Sequence, residues 1–382
     1  MALVGVAVEA STLLELSPLL LSAPIAALAA RKIAKSERFG IVLGFRGVIP
    51  YVLPIEPGHI AIYGMTGSGK TNTAKLICSK CSKRIPVLVL DWSGEYRLPG
   101  FEALIPGDNF SLNPLDIYAG SMSDHTEFLV DLFGEVFEFT EPQKFMLRCA
   151  LKEAYRCYDE PTLLDLAEVL ERLPPRSYYD HETKMAIKRR ISHLTEGRAA
   201  RALGPSSVDV DRLFNSRAAV DLSAFRSVHA RKLLAAILLK VLYDYAESRR
   251  RFSKRVVHLT VIEEAWNVIP YRRLDRSPLI GERLFAELRK YGESLIAVSQ
   301  SPYETSWSIA RNARTIILHR MLSRDLEVLG LRREFEEVLP RLKTGEAVVV
   351  RNGKVAKIRI PRVGLGEVGG ERCEEYVEVL LD

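Results

Sequence analysis

Gly64-Met65-Thr66-Gly67-Ser68-Gly69-Lys70-Thr71, the stretch GMTGSGKT at positions 64–71, decides the fold. It fits the phosphate-loop pattern G-x-x-x-x-G-K-[ST]. In front of it, His59–Gly64 (HIAIYG) is an apolar, β-branched run that reads as a buried strand, and Thr73–Lys80 behind it reads as the start of a helix. Strand, glycine turn and helix start, in that order, gather backbone N–H groups and the positive end of a helix dipole around one anion. In this arrangement Gly64, Gly67 and Gly69 supply backbone freedom. Lys70 reaches the β- and γ-phosphates, and the Thr71 hydroxyl ligates Mg²⁺. With Thr66, Ser68 and Asn72 these residues are the candidate set for a nucleoside triphosphate, ATP or GTP.

Moving outward, Val87–Asp91 (VLVLD) is a second apolar strand ending in an acid, and Val256–Ile262 a third, ending at Glu263 and Glu264. Fully apolar strands separated by helices indicate a mostly parallel sheet covered on both faces, an α/β fold. Two carboxylates at a strand end beside a phosphate loop suit nucleotide hydrolysis: one holds Mg²⁺ and the other orients and deprotonates water. Further strands are expected at Ala219–Leu222, Leu295–Ser299 and Thr315–His319. A hairpin, Ala347–Arg351 with Val355–Ile360, turns on Asn352-Gly353. That makes seven or eight core strands with an antiparallel edge.

Between about positions 111 and 217 the period changes to helical, in Glu127–Phe137, Gln143–Tyr158, Leu163–Leu173 and Thr183–Thr195. The organisation expected is a core of residues 40–110 and 218–362, a helical insertion over 111–217, an N-terminal segment 1–39 and a tail 363–382.

The 382 residues, 47% hydrophobic and 27% charged, exclude a small scaffold, a disordered chain and a multi-span membrane protein. A net charge of +6, visibly clustered, favours a polyanionic partner. Scarce glutamine (Gln143 and Gln300) and abundant Arg suggest a thermophilic source. Cys78 and Cys81 have C-x-x-C spacing without a second pair, so they read as helix thiols in a cytoplasmic protein. Residues 11–30 approach the ~20 apolar positions of a membrane span. They are interrupted by Glu15, Pro18 and Pro24, which suggests surface helices in place of an anchor.

Taken together, HIAIYGMTGSGKT, VLVLDWSGEY, VHLTVIEEAWNVIP, ELRKYG, LIAVSQSP and TGEAVVV resemble, in this order, the HerA branch of the HerA/FtsK ATPases. The resemblance implies a RecA-like core working as a homohexameric ring that moves duplex DNA with ATP and Mg²⁺. It implies that Glu263 assists the metal, that Glu264 is the catalytic base, that Gln300 senses the γ-phosphate, and that Arg289 is an arginine finger acting on a neighbour's ATP. Trp92, Ser93, Trp266 and Ser301 depart from the family pattern. The family's N-terminal barrel, which docks a nuclease, has no full counterpart before Gly40. The partner, a nuclease or a membrane channel, therefore stays open.

Basic clusters at Lys184–Arg190, Arg249–Arg255 and Arg272, Arg273 and Arg276 are candidate contacts to a DNA backbone, with a solvated surface as the alternative. The third follows the Glu263-Glu264 strand end. A DNA-transfer motor at a membrane and a nucleotide-dependent switch that moves nothing are the competing functions.

Overall fold

The computed structural model describes residues 40–249, 252–273, 277–322, 325–331 and 334–363. The N-terminal segment 1–39 with its apolar run, the tail beyond 363, Arg250, Arg251, Arg276 and Cys373 lie outside the described residues. Among the described residues, no helix is long and apolar enough to cross a membrane.

The strands are β1 (Gly40–Arg46), β2 (Ile49–Pro54), β3 (His59–Tyr63), β4 (Val87–Asp91), β5 (Glu102–Leu104), β6 (Arg217–Asp221), β7 (His258–Ile262), β8 (Glu293–Ser299), β9 (Ala313–Leu318), β10 (Glu346–Arg351) and β11 (Lys354–Arg359). They form one 11-stranded sheet in the order β2-β1-β11-β10-β9-β3-β8-β7-β4-β6-β5. From β9 to β5 every pairing is parallel. From β9 to β2 every pairing is antiparallel. The antiparallel edge is thus larger than the one hairpin expected from the sequence, because β1 and β2 form a second hairpin docked on β11.

Alternation along the central strands explains the layering. Leu88 and Leu90 of β4, with Ala61 and Tyr63 of β3, face one core. Val87 and Val89, with Ile62, face the other. The first core is covered by the helices between β5 and β6 and by the long helix Val228–Arg249. The second is covered by α1 (Lys70–Cys81), whose Leu76, Ile77, Cys78 and Cys81 pack into it. Both thiols of the C-x-x-C pair are buried there, and burial pushes them above the usual thiol range. The hairpin turn holds Asn352 and Gly353 at φ 47° and 71°, the left-handed pair that a two-residue hairpin requires.

The first helices after β5, α2 (Met122–Phe137) and α3 (Glu141–Cys157), begin earlier than the apolar period does. Ser121 and Asp124 form a capping box, and Gln143 accepts the Thr140 N–H, so polar caps extend each helix past its amphipathic stretch.

Candidate nucleotide-binding and catalytic site

The phosphate loop connects β3 to α1 at the carboxyl edge of the parallel strands, where open α/β sheets place their ligands. A Cβ on Gly64 would lie 2.6 Å from the His319 Cβ and 2.8 Å from Ser68 Oγ, so only glycine lets the chain turn here. Gly69, at φ 114°, caps α1 in the left-handed region. The loop closes on the Met65 carbonyl, which accepts hydrogen bonds from Ser68 Oγ at 2.7 Å and Lys70 Nζ at 3.1 Å. Thr66 and Gly67 stand exposed at its crown. Burial lowers the pKa of Lys70, against the upward pull of the nearby Glu264, Glu263 and Glu304 carboxylates.

Glu263 leaves the end of β7 4% exposed. Its Oε1 accepts from Thr71 Oγ1 at 3.0 Å, and its Oε2 accepts from Ser93 Oγ at 2.9 Å. Burial raises its pKa to about 7, despite those two hydroxyl donors, and Asp91 and Glu95 push it the same way. Asp91 at the end of β4 positions Ser93. Its carboxylate accepts the backbone N–H groups of Ser93, Gly94, Glu95 and Tyr96, folding residues 91–96 into a tight turn. Thr71 and Glu263 therefore present two oxygens side by side, a fit for Mg²⁺, which takes few protein ligands.

Glu264 sits at φ 45°, ψ 51°, and its Oε2 accepts from Trp266 Nε1 at 2.7 Å. Gln300 follows β8 directly, and its carbonyl accepts the Gly64 N–H at 3.2 Å, so the predicted sensor borders the phosphate loop. Arg289 is exposed at the other end of β8, four positions before that strand begins. A strand of this length spans roughly 20 Å. Arg289 cannot reach the phosphate loop of its own chain.

Three sequence-derived assignments change. Asn72 turns away from the phosphates: its Nδ2 donates to the Pro361 carbonyl and its Oδ1 accepts the Val363 N–H, each at 2.8 Å. It clamps the chain leaving β11 onto α1. Arg272 is not a free surface cation, because its Nε donates to Glu282 Oε2 at 2.5 Å and Glu282 is 3% exposed. Within the basic cluster at 184–190, Lys184 is buried and donates to the Leu173 carbonyl at 3.1 Å, closing one helix on its neighbour. Arg273 is exposed as expected.

His319, which carries no motif, was missed. It lies fully buried behind the loop, with Nδ1 3.1 Å from the Glu346 carbonyl and Nε2 2.9 Å from Thr73 Oγ1. A carbonyl only accepts, so Nδ1 carries a proton toward Glu346, and the single Thr73 hydroxyl proton is shared between Nε2 and the Gly69 carbonyl, which lies 3.0 Å from Oγ1. Thr344 and Gly345 brace the loop from the same side: Thr344 Oγ1 donates to the Gly67 carbonyl, and Gly345 N–H to the Ser68 carbonyl.

Residues 55–241 match the family model described as the central domain of helicase HerA. A probable helicase of Methanocaldococcus jannaschii is 23% identical over 363 residues, covering 82% of this chain and 67% of that protein. The DNA double-strand break repair helicase HerA of Sulfurisphaera tokodaii is 25% identical over 325 residues, covering 77% of this chain and 62% of its own length. The chain thus spans about two thirds of these relatives. Among solved structures, VirB4 of Thermoanaerobacter pseudethanolicus superposes with a TM-score of 0.69 at 21% identity, covering 85% of this chain and 97% of that one. The plasmid coupling protein TrwB in complex with ADP and Mg²⁺ superposes at 0.59 and 14% identity, covering 87% and 92%. Both share the fold.

Proposed function

Because the chain is a HerA/FtsK-type P-loop ATPase, we propose that it is an ATP-driven DNA translocase that works as a ring, in the reading we favour a hexamer on duplex DNA. The observation that carries the reading is the convergence of Thr71, Ser93 and Glu263 in one hydrogen-bonded row, with Glu264 and Lys70 beside it and Gln300 against the loop. ATP and Mg²⁺ are the ligands this donor set fits.

Thr71 and Glu263 would hold Mg²⁺, which supplies positive charge at the β- and γ-phosphates. The N–H groups of residues 67–71 and the start of α1 bind phosphate oxygens, and Lys70 swings from the Met65 carbonyl to meet them. Glu264 orients a water and takes its proton as the water attacks the γ-phosphorus, whose bond to the β–γ bridging oxygen breaks to release ADP and phosphate. Gln300 contacts the γ-phosphate. Arg289, out of reach of its own site, completes the site of an adjacent protomer, which makes turnover depend on assembly. Arg273 is the described residue proposed to meet DNA phosphate, with Arg276 beyond the described segment.

The test is steady-state ATP hydrolysis with and without duplex DNA. Glu264→Gln is expected to bind ATP and lose about 10²- to 10⁴-fold in kcat. Hydrolysis at the parent rate would refute the assignment of the base, and a chain that never forms rings and ignores DNA would refute the translocase. A second reading, a DNA-transfer motor at a membrane with a channel as partner, is favoured by the apolar run at 11–30. Co-sedimentation of the full chain with lipid vesicles decides between the two, and failure to bind lipid removes the second.

A further inference from the structure

Glu264 is one of three non-glycine residues at positive φ among the described residues. Such a backbone costs about 1–3 kcal/mol and persists only where its surroundings hold it. Here the Glu264 carbonyl accepts the Asn267 N–H at 2.9 Å and Asn267 Nδ2 at 3.2 Å. These contacts fix the residue's backbone but leave its side chain free to rotate. What holds the carboxylate is Trp266, whose Nε1 donates to Oε2 at 2.7 Å. Oε1 has no donor among the described residues.

Core packing does not account for this tryptophan. It is 37% exposed, in the short helical turn Ala265–Asn267, and the Lys232 ammonium lies 5.9 Å from its ring centroid. An indole nitrogen has one proton and accepts nothing at protein pH. It can therefore pin one carboxylate oxygen without competing for the proton that the other must receive.

We infer that Trp266 is a positioning residue for hydrolysis: its N–H locks Glu264 Oε2, so that Oε1 stays aimed at the attacking water beside Lys70. The inference rests on the reading of Glu264 as the base. Without the lock, the carboxylate samples rotamers in which no oxygen faces the water, and only the fraction in the right one reacts.

Trp266→Phe keeps the ring and deletes the N–H, whereas Trp266→His returns a ring N–H donor. Full-length parent, both variants and Glu264→Gln are compared for DNA-stimulated ATP hydrolysis over a range of ATP concentrations. Trp266→Phe is expected to lose about tenfold in kcat with KM for ATP unchanged, and Trp266→His to recover at least half of the loss. Trp266→Phe within twofold of the parent would overturn the inference. So would equal losses in Phe and His, which would assign the effect to ring packing. Glu264→Gln hydrolysing like the parent overturns the underlying assignment instead, so the two failures are told apart.

Discussion

Replacing Arg272 separates a structural cation from a DNA contact. The Arg272 side chain is 17% exposed and its partner Glu282 only 3%. Glu282 Oε2 also accepts the Leu279 N–H at 3.2 Å, but Oε1 is buried without a donor. Arg272→Ala therefore leaves a buried carboxylate with one backbone N–H as its main support. Removing one partner of a buried ion pair costs about 3–5 kcal/mol, and we expect the low end because the arginine is partly exposed. Arg272→Ala with Glu282→Gln removes the stranded charge and should regain most of that loss. Arg273→Ala touches an exposed side chain and should change stability by less than about 0.5 kcal/mol. Urea denaturation of all four proteins reads these differences as midpoints at constant slope. On duplex DNA across a salt series, Arg273→Ala should lower the slope of log K against log salt by about 0.9, one phosphate contact. If Arg272→Ala is as stable as the parent and loses DNA affinity as Arg273→Ala does, Arg272 faces DNA and the structural account is wrong.

Other perturbations have equally definite outcomes. Gly64→Ala forces a Cβ against His319 and Ser68 at a positive φ, and is expected to destabilise the chain by about 2–4 kcal/mol and to abolish ATP binding by equilibrium dialysis; retained affinity would show that the loop relaxes. Burial holds His59, His125 and His319 at about 4, below the ordinary 6.5. Between those values the unfolded chain takes up protons that the fold refuses, so this stability is intact above pH 6.5 and lost as pH falls toward 4, on the order of 2 kcal/mol per histidine at pH 5. Glu263, raised to about 7, acts in the opposite sense. The histidine contribution is therefore read as the flatter pH dependence of His319→Gln in urea denaturation, and an unchanged slope would refute it. Arg289→Ala should hydrolyse ATP poorly alone, but mixing it with Lys70→Ala should restore activity if the two residues serve one shared site; mixtures no better than the average of the two would count against action in trans.

Much of the site was readable because its chemistry sits at the ends of apolar runs. The phosphate loop, Glu263, Glu264 and Gln300 each follow a strand whose side chains are almost all buried, and hydrophobicity alone locates those strands. The same rule started β8 two residues late, at Leu295, because it left out Glu293. His258 and Glu293 are polar yet fully buried, paired across the sheet with Nδ1 2.7 Å from Oε1, so each removes the reason the other would avoid the core. The fates of Asn72 and Arg272 were not readable, because their partners, Pro361, Val363 and the buried Glu282, are brought to them only by the tertiary fold. His319 gave no signal at all: a single histidine after a strand becomes part of the site only when β9 lies beside β3.

That adjacency sets a timetable for biosynthesis. Strand β3 carries the phosphate loop, yet its neighbours in the sheet are β8 and β9, and the backbone N–H of Leu295 reaches a His59 236 positions earlier. At 5–20 residues per second, a ribosome takes roughly ten to fifty seconds to make the intervening chain. The β1–β2 hairpin can form at once, but β3 waits with both edges unpaired. A chain released before residue 293 lacks both flanking strands, so the nucleotide site is among the last parts of the molecule to exist.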